Sequence, residues 1–327
     1  MKVLITGANG FVGSHILDTL CQHGIPAAAL LRPNASKRFL ESHLPQLDVR
    51  AGSIDDPSGL DAALEGVTHV IHCAGCVKAL RRSEFYEVNQ AGTRRVVEAV
   101  NRRDGQIQRL VHISSLAAGG PSLPGQRVRE EDPPRPVSHY GKSKLEGELE
   151  VRNVCRPEFV ILRPPAVYGP RDAAFLPLFK TIRRHLRPHL VSPRAELSLV
   201  FVRDLAEAAV NCLMPPAAAG ETFYVASPEI VSSHAFADAI AARLRTWTVP
   251  LWLPTAALWP VCYLQEAVSL LTGRPNVLSG QKYAELRAPG WVCDPGRLQQ
   301  KLGFTCATRL EDGIAETLAW YQQQNWL

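Results

Sequence analysis

The 327-residue sequence has no block of like charge, no internal repeat and no low-complexity tract. Its 36 Lys and Arg stand against 31 Asp and Glu, and the net charge of +5 is spread along the chain. No field able to hold a polyanion builds up, so nucleic acid is not an expected partner. The eight cysteines show no paired spacing apart from Cys73 and Cys76. A chain of this size needs no disulfide staples, so free thiols, a reducing compartment and a cytoplasmic location are expected. A secretory leader is not expected either, because Met1 to Gly7 runs straight into an apolar strand and a glycine turn. The one membrane-like stretch, Val249 to Leu271, is broken by Pro250, Pro254 and Pro260 and contains Gln265 and Glu266. It falls short of the roughly 20 mostly apolar residues that cross a bilayer. A buried or substrate-covering helix is the preferred reading, and peripheral membrane contact is the alternative.

With 46% apolar and 20% charged residues, the chain can bury a large core. Short apolar runs, most with β-branched residues (Val3 to Thr6, Ala27 to Leu31, Val49 to Ala51, Val70 to Cys73, Leu110 to Ser114, Phe159 to Leu162), alternate with helical periodicity. Helices are expected at Phe11 to His23, Ser83 to Arg103 and His139 to Val154. This alternation predicts an α/β fold, a doubly wound parallel sheet covered on both faces, with its ligand beyond the carboxyl ends of the strands. After Pro170 a helix is expected at Phe175 to Leu186. Leu197 to Val202, Asp204 to Leu213 and Thr222 to Ala226 are expected to return to the sheet. Helices near Ser233 to Arg245, Ala256 to Leu271 and Leu310 to Gln324 would form a smaller, mostly helical region closing over it.

Gly7-Ala8-Asn9-Gly10-Phe11-Val12-Gly13 follows the first strand and opens the first helix. Glycines there permit a tight turn, close backbone approach to a pyrophosphate and close helix packing, and the helix N-terminus adds free N–H groups. A dinucleotide fits that context. At the end of the second strand no acid stands ready for a ribose 2′-hydroxyl; Arg32, with Lys37 and Arg38 downstream, suits a 2′-phosphate and favours NADP over NAD.

Tyr140 and Lys144 lie at i and i+4 on one helix, with Lys142 off that face. A nearby cation would lower the phenol pKa and fit Tyr140 for proton exchange with a carbinol oxygen. Val111-His112-Ile113-Ser114-Ser115 ends a strand in hydroxyls that could hold the reacting oxygen. Cys73 and Cys76 have no second Cys or His pair at metal spacing, so no metal site is expected. Arg183, Arg184 and Arg187 read as a solvated face or an anion contact. Trp247, Trp252, Trp259 and Tyr263 read as a wall for an apolar substrate or as core.

Beyond these motifs the sequence carries His72-Cys73-Ala74-Gly75, Val88-Asn89-Gln90-Ala91-Gly92-Thr93, Leu162 to Pro170 (LRPPAVYGP), Phe201 to Ala206 (FVRDLA) and Leu302-Gly303-Phe304. Together they resemble the extended short-chain dehydrogenases/reductases of the NAD(P)-dependent epimerase/dehydratase superfamily, nearest the dihydroflavonol-reductase and 3β-hydroxysteroid-dehydrogenase-like branch. The resemblance implies an NAD(P)-binding Rossmann domain over residues 1–170, with 197–226 returning to it, and a substrate-binding region over 171–196 and 227–327. It implies Ser115 as the catalytic hydroxyl, Tyr140 as acid/base and Lys144 as the ribose-binding group. Gly7, Asn9, Gly10, Phe11, Val12, Gly13, Arg32, Ser53, Ile54, Ala74, Gly75, Asn89, Pro164 and Val167 would complete the cofactor site. It also implies a homodimer. Two departures stand out. Ser53 replaces the Asp that in many relatives contacts adenine, and Leu116-Ala117 replaces the acid pair of the dehydratases. The expected activity is NADP(H)-dependent hydride transfer between a ketone and a secondary alcohol, on a partly apolar substrate. The alternatives are a nucleotide-sugar epimerase with retained NAD(P), and a non-catalytic NAD(P)-sensing protein.

Overall fold

In the computed structural model all residues are described except 104, 191–195, 254 and 274–279, so Pro254 lies outside the described residues. The strands are β1 Val3–Thr6, β2 Ala27–Leu31, β3 Asp48–Ala51, β4 His69–His72, β5 Arg109–Ile113, β6 Glu158–Arg163, β7 Ala166–Tyr168, β8 Leu186–Leu190, β9 Glu196–Phe201, β10 Thr222–Tyr224, β11 Ile230–Ser232 and β12 Val249–Leu253. The helices are α1 Phe11–Gln22, α2 Pro57–Ala63, α3 Arg82–Tyr86, α4 Gly92–Arg102, α5 Leu116–Gly119, α6 His139–Val154 and α7 Leu176–Arg183, followed by α8 Val202–Asn211, α9 Ser233–Leu244, α10 Thr255–Thr272, α11 Gly280–Leu286, α12 Gly296–Leu302 and α13 Leu310–Gln323.

Seven parallel strands form the central sheet in the order β10-β6-β5-β4-β1-β2-β3. β1, β4 and β5 are buried along their whole length, as strands covered on both faces must be, and their apolar runs reflect it. One face packs on α1 and α8 through Ile16, Leu17, Leu20, Leu205 and Ala209, and the other on α2, α4 and α6 through Leu60, Val96, Val100 and Val151. Chain order reverses between β1 and β4, and in such sheets that crevice receives the ligand. Thr6 and His72 end these two strands in register, so the turns at Gly7 and Cys73 meet there.

The chain past Pro170 is less regular than the sequence suggests. The stretch Leu197 to Val202, expected to rejoin the central sheet, instead forms β9 between β7 and β11 in a separate three-stranded sheet. Only α8 and β10 return, α8 onto α1 and β10 beside β6. The physical reason lies at Pro164-Pro165: the chain leaves β6 there, and β7 starts a new sheet that β9 joins in parallel. The helix expected from Ser83 to Arg103 is α3 and α4 joined by a π turn over Glu87–Ala91. A buried ion pair braces the sheet to α6. Glu148, fully buried, takes Arg163 at 2.6 Å and accepts from the Ser114 hydroxyl at 2.5 Å, while Arg163 also bonds the Tyr224 hydroxyl. Ser114 is therefore occupied within the framework, and its neighbour Ser115 is the hydroxyl turned toward α6 and the candidate site.

Candidate active site

Each glycine of the first turn is held by what surrounds it. A Cβ at Gly7, whose φ is +74°, would lie 2.7 Å from the Ala74 nitrogen, and one at Gly13 would lie 2.1 Å from the Gly7 carbonyl oxygen. Strand, turn and helix are thus packed backbone to backbone. Gly10 caps α1 without any side-chain hydrogen bond to the first-turn N–H groups. Those donors and the positive end of the helix suit a phosphate, so the chain's own geometry fits a dinucleotide. Phe11 and Val12 form the first turn of α1, and the Asn9 side chain donates to the Ser36 carbonyl at 3.1 Å, tying the glycine turn to the loop after β2.

Arg32 lies exposed just beyond β2 and has no ion-pair partner among the described residues. Arg38 is committed elsewhere: it donates to Gln324 at 3.2 Å and lies over Phe39 and Trp326, anchoring the C-terminal segment. Ser53 donates to Asp55 at 3.2 Å and accepts from the Asp55 N–H, so part of its hydrogen-bonding capacity is spent locally. The Ile54 side chain is buried toward Gly92, where an added Cβ would come within 2.7 Å of it.

The turn after β4 is clamped by Asn89 from the π turn. Its side chain accepts from the Cys76 N–H at 2.8 Å and donates to the Cys76 carbonyl at 2.9 Å and to the Ser143 hydroxyl at 2.9 Å. The wide turn thus places one amide between the Cys73–Cys76 loop and α6, a use typical of π bulges at functional sites. Burial pushes the Cys73 thiol up to about 12, so it is neutral at physiological pH. His72 bridges Thr6 and Thr93 and is held neutral by burial, its pKa lowered to about 3. Among the described residues no group of three metal-ligating side chains occurs.

Ser115, Tyr140 and Lys144 meet at the end of β5. Ser115 caps α5, its oxygen accepting from the Ala117 N–H at 3.1 Å, and its hydroxyl lies near enough to the Tyr140 phenol to favour the ionised form. Lys144 is buried, donates from Nζ to the Ile113 carbonyl at 2.8 Å, and lies 3.9 Å from where a Gly75 Cβ would stand. Ala74 and Gly75 line the same corner, the Ala74 N–H donating to Thr6 at 3.2 Å. Pro164 is buried, its carbonyl accepting from the Leu116 N–H next to Ser115, and Val167 lies just beyond on β7.

The electrostatics differ from the sequence expectation in one respect. Burial dominates at Tyr140 and raises its phenol to about 12, although the Ser115 hydroxyl works the other way; Glu285 and the two cysteines raise it further. Lys144, itself desolvated, is lowered to about 8. Tyr140 is thus a protonated phenol across the physiological range rather than a phenolate stabilised by its neighbour.

Two contributors were not read from the sequence, and a third, His139, was legible there as a helix-entry histidine beside Tyr140 or a substrate contact. Phe85 sets its ring against that of Tyr140 at 6.2 Å. Ser138 caps α6 by accepting from the Gly141 N–H and donates to Glu285, 147 positions further on. His139 is bonded through Nδ1 to the Tyr86 hydroxyl at 3.0 Å. The capping role of Ser138 could have been read from a Ser three residues before Gly141; nothing local points to Glu285.

Gly141 deserves its place beside Tyr140 for a packing reason. A Cβ there would lie 2.3 Å from the Ala117 carbonyl oxygen, a backbone atom that cannot swing aside. Gly141→Ala is expected to push α6 off α5, costing roughly 1–3 kcal/mol of stability and lowering kcat more than ~tenfold by misplacing Tyr140 against Ser115. Thermal melts and steady-state rates would check both.

The family model described as NAD-dependent epimerase/dehydratase matches residues 3–226. The chain is 31% identical over 331 residues to a ceramide reductase of Caulobacter vibrioides, covering 99% of this chain and 96% of that one. It is 24% identical over 283 residues to a mouse sterol-4-alpha-carboxylate 3-dehydrogenase, decarboxylating, covering 83% and 75%. Among solved structures, a UDP-glucose 4-epimerase from Thermotoga maritima, determined with UDP-glucose, superposes with a TM-score of 0.80 at 18% identity, over 99% of this chain and 100% of that one. The chain belongs to the NAD-dependent epimerase/dehydratase family. It is an NAD(P)-dependent enzyme of the extended short-chain dehydrogenase/reductase type, and among its described residues no helix is long and apolar enough to cross a membrane.

Proposed function

We propose that this protein is an NADP(H)-dependent reductase that interconverts a ketone and a secondary alcohol on a partly apolar substrate, working as a homodimer. The observation that carries the reading is the convergence of Ser115, Tyr140 and Lys144 at the end of β5, with burial keeping Tyr140 protonated. A protonated phenol is ready to donate to a carbonyl oxygen as it gains charge, which is what reduction requires. Ser115 holds that oxygen, and the same Tyr140–Ser115 pair accepts the proton back in the oxidative direction. Lys144 supplies positive charge beside the phenol. When bound, the nicotinamide supplies or accepts the hydride. Gly10, Phe11, Val12 and Gly13 would hold the pyrophosphate, Arg32 the 2′-phosphate, and Lys144 the nicotinamide ribose. Leu116 and Ala117, both buried, offer no acid or base for eliminating water. An apolar substrate agrees with the kinship to a ceramide reductase, whose named substrate is a lipid.

The pH profile tests this reading. Lys144 is charged below about 8 and neutral above it. NADPH-dependent ketone reduction should therefore hold steady at neutral pH and decline as pH rises through about 8. Lys144→Met should be slow throughout and lack that limb. Linkage has the matching sign. Between about 8 in the folded chain and the ordinary lysine value of 10.5, the unfolded chain binds the extra proton. Wild-type stability should thus rise with pH across that window, and the Met variant, free of the desolvation cost, should lose this dependence. A profile flat through pH 8, with full activity in Lys144→Met, would refute the role given to Lys144.

A further inference from the structure

α10 inverts the arrangement of an ordinary surface helix. At roughly 100° per residue, Leu258, Cys262 and Ser269 fall on one side, and all three are buried. On the opposite half lie Tyr263, Leu264, Val268 and Leu271, with Trp259 at its edge, all exposed, Leu264 to 66% and Leu271 to 87%. A helix that packs on a core and faces water carries polar residues on that outer half. The only charged residue of α10, Glu266, is used internally, accepting from the Gly280 N–H at 2.8 Å where α11 begins. β12, immediately before, adds exposed Val249, Leu251 and Trp252, preceded by Trp247. The stretch from Val249 to Leu271 is therefore not a buried helix, and its exposed aromatic residues are not core.

Scattered exposed apolar residues are ordinary, but a consecutive set of this size marks an interaction surface. The charges beside it indicate what it meets. Trp247 stacks on His185 at 4.1 Å, which brings the chain next to Arg184 and Arg183. These two arginines and Arg245 are exposed without an ion-pair partner among the described residues, whereas Arg187 is paired with Asp238. Aromatic rings and aliphatic side chains flanked by unpaired arginines match the makeup of surfaces that sit in a lipid headgroup layer.

We propose that the outer face of α10, with Trp252 of β12, docks this protein on an anionic lipid bilayer. The docked hairpin is also tied to chemistry. Gly280 of α11 packs against Tyr263, and Glu285 of α11 accepts from Ser138 at the start of the catalytic helix. A substrate could thus keep its apolar part in the lipid while its ketone reaches Tyr140, an extension that rests on the reductase reading; the docking itself does not.

The test is co-sedimentation of the full chain with vesicles of phosphatidylcholine alone and of equal parts phosphatidylcholine and phosphatidylglycerol. Binding to the mixed vesicles is expected, weakening with salt, together with quenching of tryptophan emission by brominated lipid. Trp252→Glu with Leu264→Glu should lower binding more than ~tenfold. Arg183→Gln with Arg184→Gln should lower it about thirtyfold on the mixed vesicles, about fivefold for each arginine. NADPH affinity checks that the variants are folded. Reduction of a water-soluble ketone at the wild-type rate by the glutamate variant would separate docking from catalysis. The proposal is overturned if the wild-type chain ignores both vesicles, or if the glutamate variant binds them unchanged. It is equally overturned if the patch proves to join two copies, seen as a dimer that the glutamate variant dissociates while vesicles are not bound.

Discussion

Tyr140→Phe is expected to lower turnover by at least about a thousandfold while leaving NADPH affinity and the melting temperature close to wild type. General acid–base groups contribute roughly 10²–10⁴-fold, and here burial keeps the phenol next to Ser115 protonated. The substitution keeps the ring that packs edge-on against Phe85, and α6 retains its Ser138 cap. What disappears is the proton, so kcat should fall with little change in KM. Lys144 cannot take over, since its ammonium is fixed on the Ile113 carbonyl. Steady-state kinetics with a fluorescence titration of NADPH measure both halves. Turnover within tenfold of wild type would remove Tyr140 from the mechanism.

Arg32→Ala is expected to weaken NADPH by roughly 10–100-fold and NADH hardly at all. A charge-assisted hydrogen bond to phosphate is worth about 1.5–3 kcal/mol, and the 2′-phosphate is the sole difference between the two ligands. Arg32 is free to make it, since Arg38 is held by Gln324, Phe39 and Trp326. Arg32→Lys should recover part of the loss, because an ammonium keeps the charge but not the two-pronged geometry. Competitive titration with the two reduced dinucleotides gives the ratio directly. Equal losses for both would reject the 2′-phosphate role.

The parts of this molecule that follow from local chemistry were legible in its sequence. β1, β2 and α6 fall where apolar runs and helical periodicity place them, because a parallel sheet buried on both faces leaves little choice of residue. The glycine turn and the Tyr140–Lys144 pair were readable because fixed spacing on known elements brings their groups together. Long-range contacts were not. Glu285 reaches Ser138 across 147 positions, and no pattern near either residue announces the meeting. β9 has the apolar alternation of any strand; its sheet is chosen by β7, which the Pro164-Pro165 exit carries away from the centre. The direction of the Tyr140 shift was likewise hidden, since spacing places Lys144 one turn away but does not show the burial that raises the phenol. In α10, apolar composition suggested a covered helix, and only the fold shows that its apolar half faces outward.

The most direct test of the central claim is the stoichiometry of the cofactor. NADPH oxidation should be followed alongside alcohol formation on a panel of ketones bearing apolar chains. One NADPH should be consumed for each alcohol formed, with the cofactor exchanging freely and both signals lost in Tyr140→Phe. Conversion of a sugar nucleotide to its epimer, with the dinucleotide neither consumed nor released, would contradict the claim.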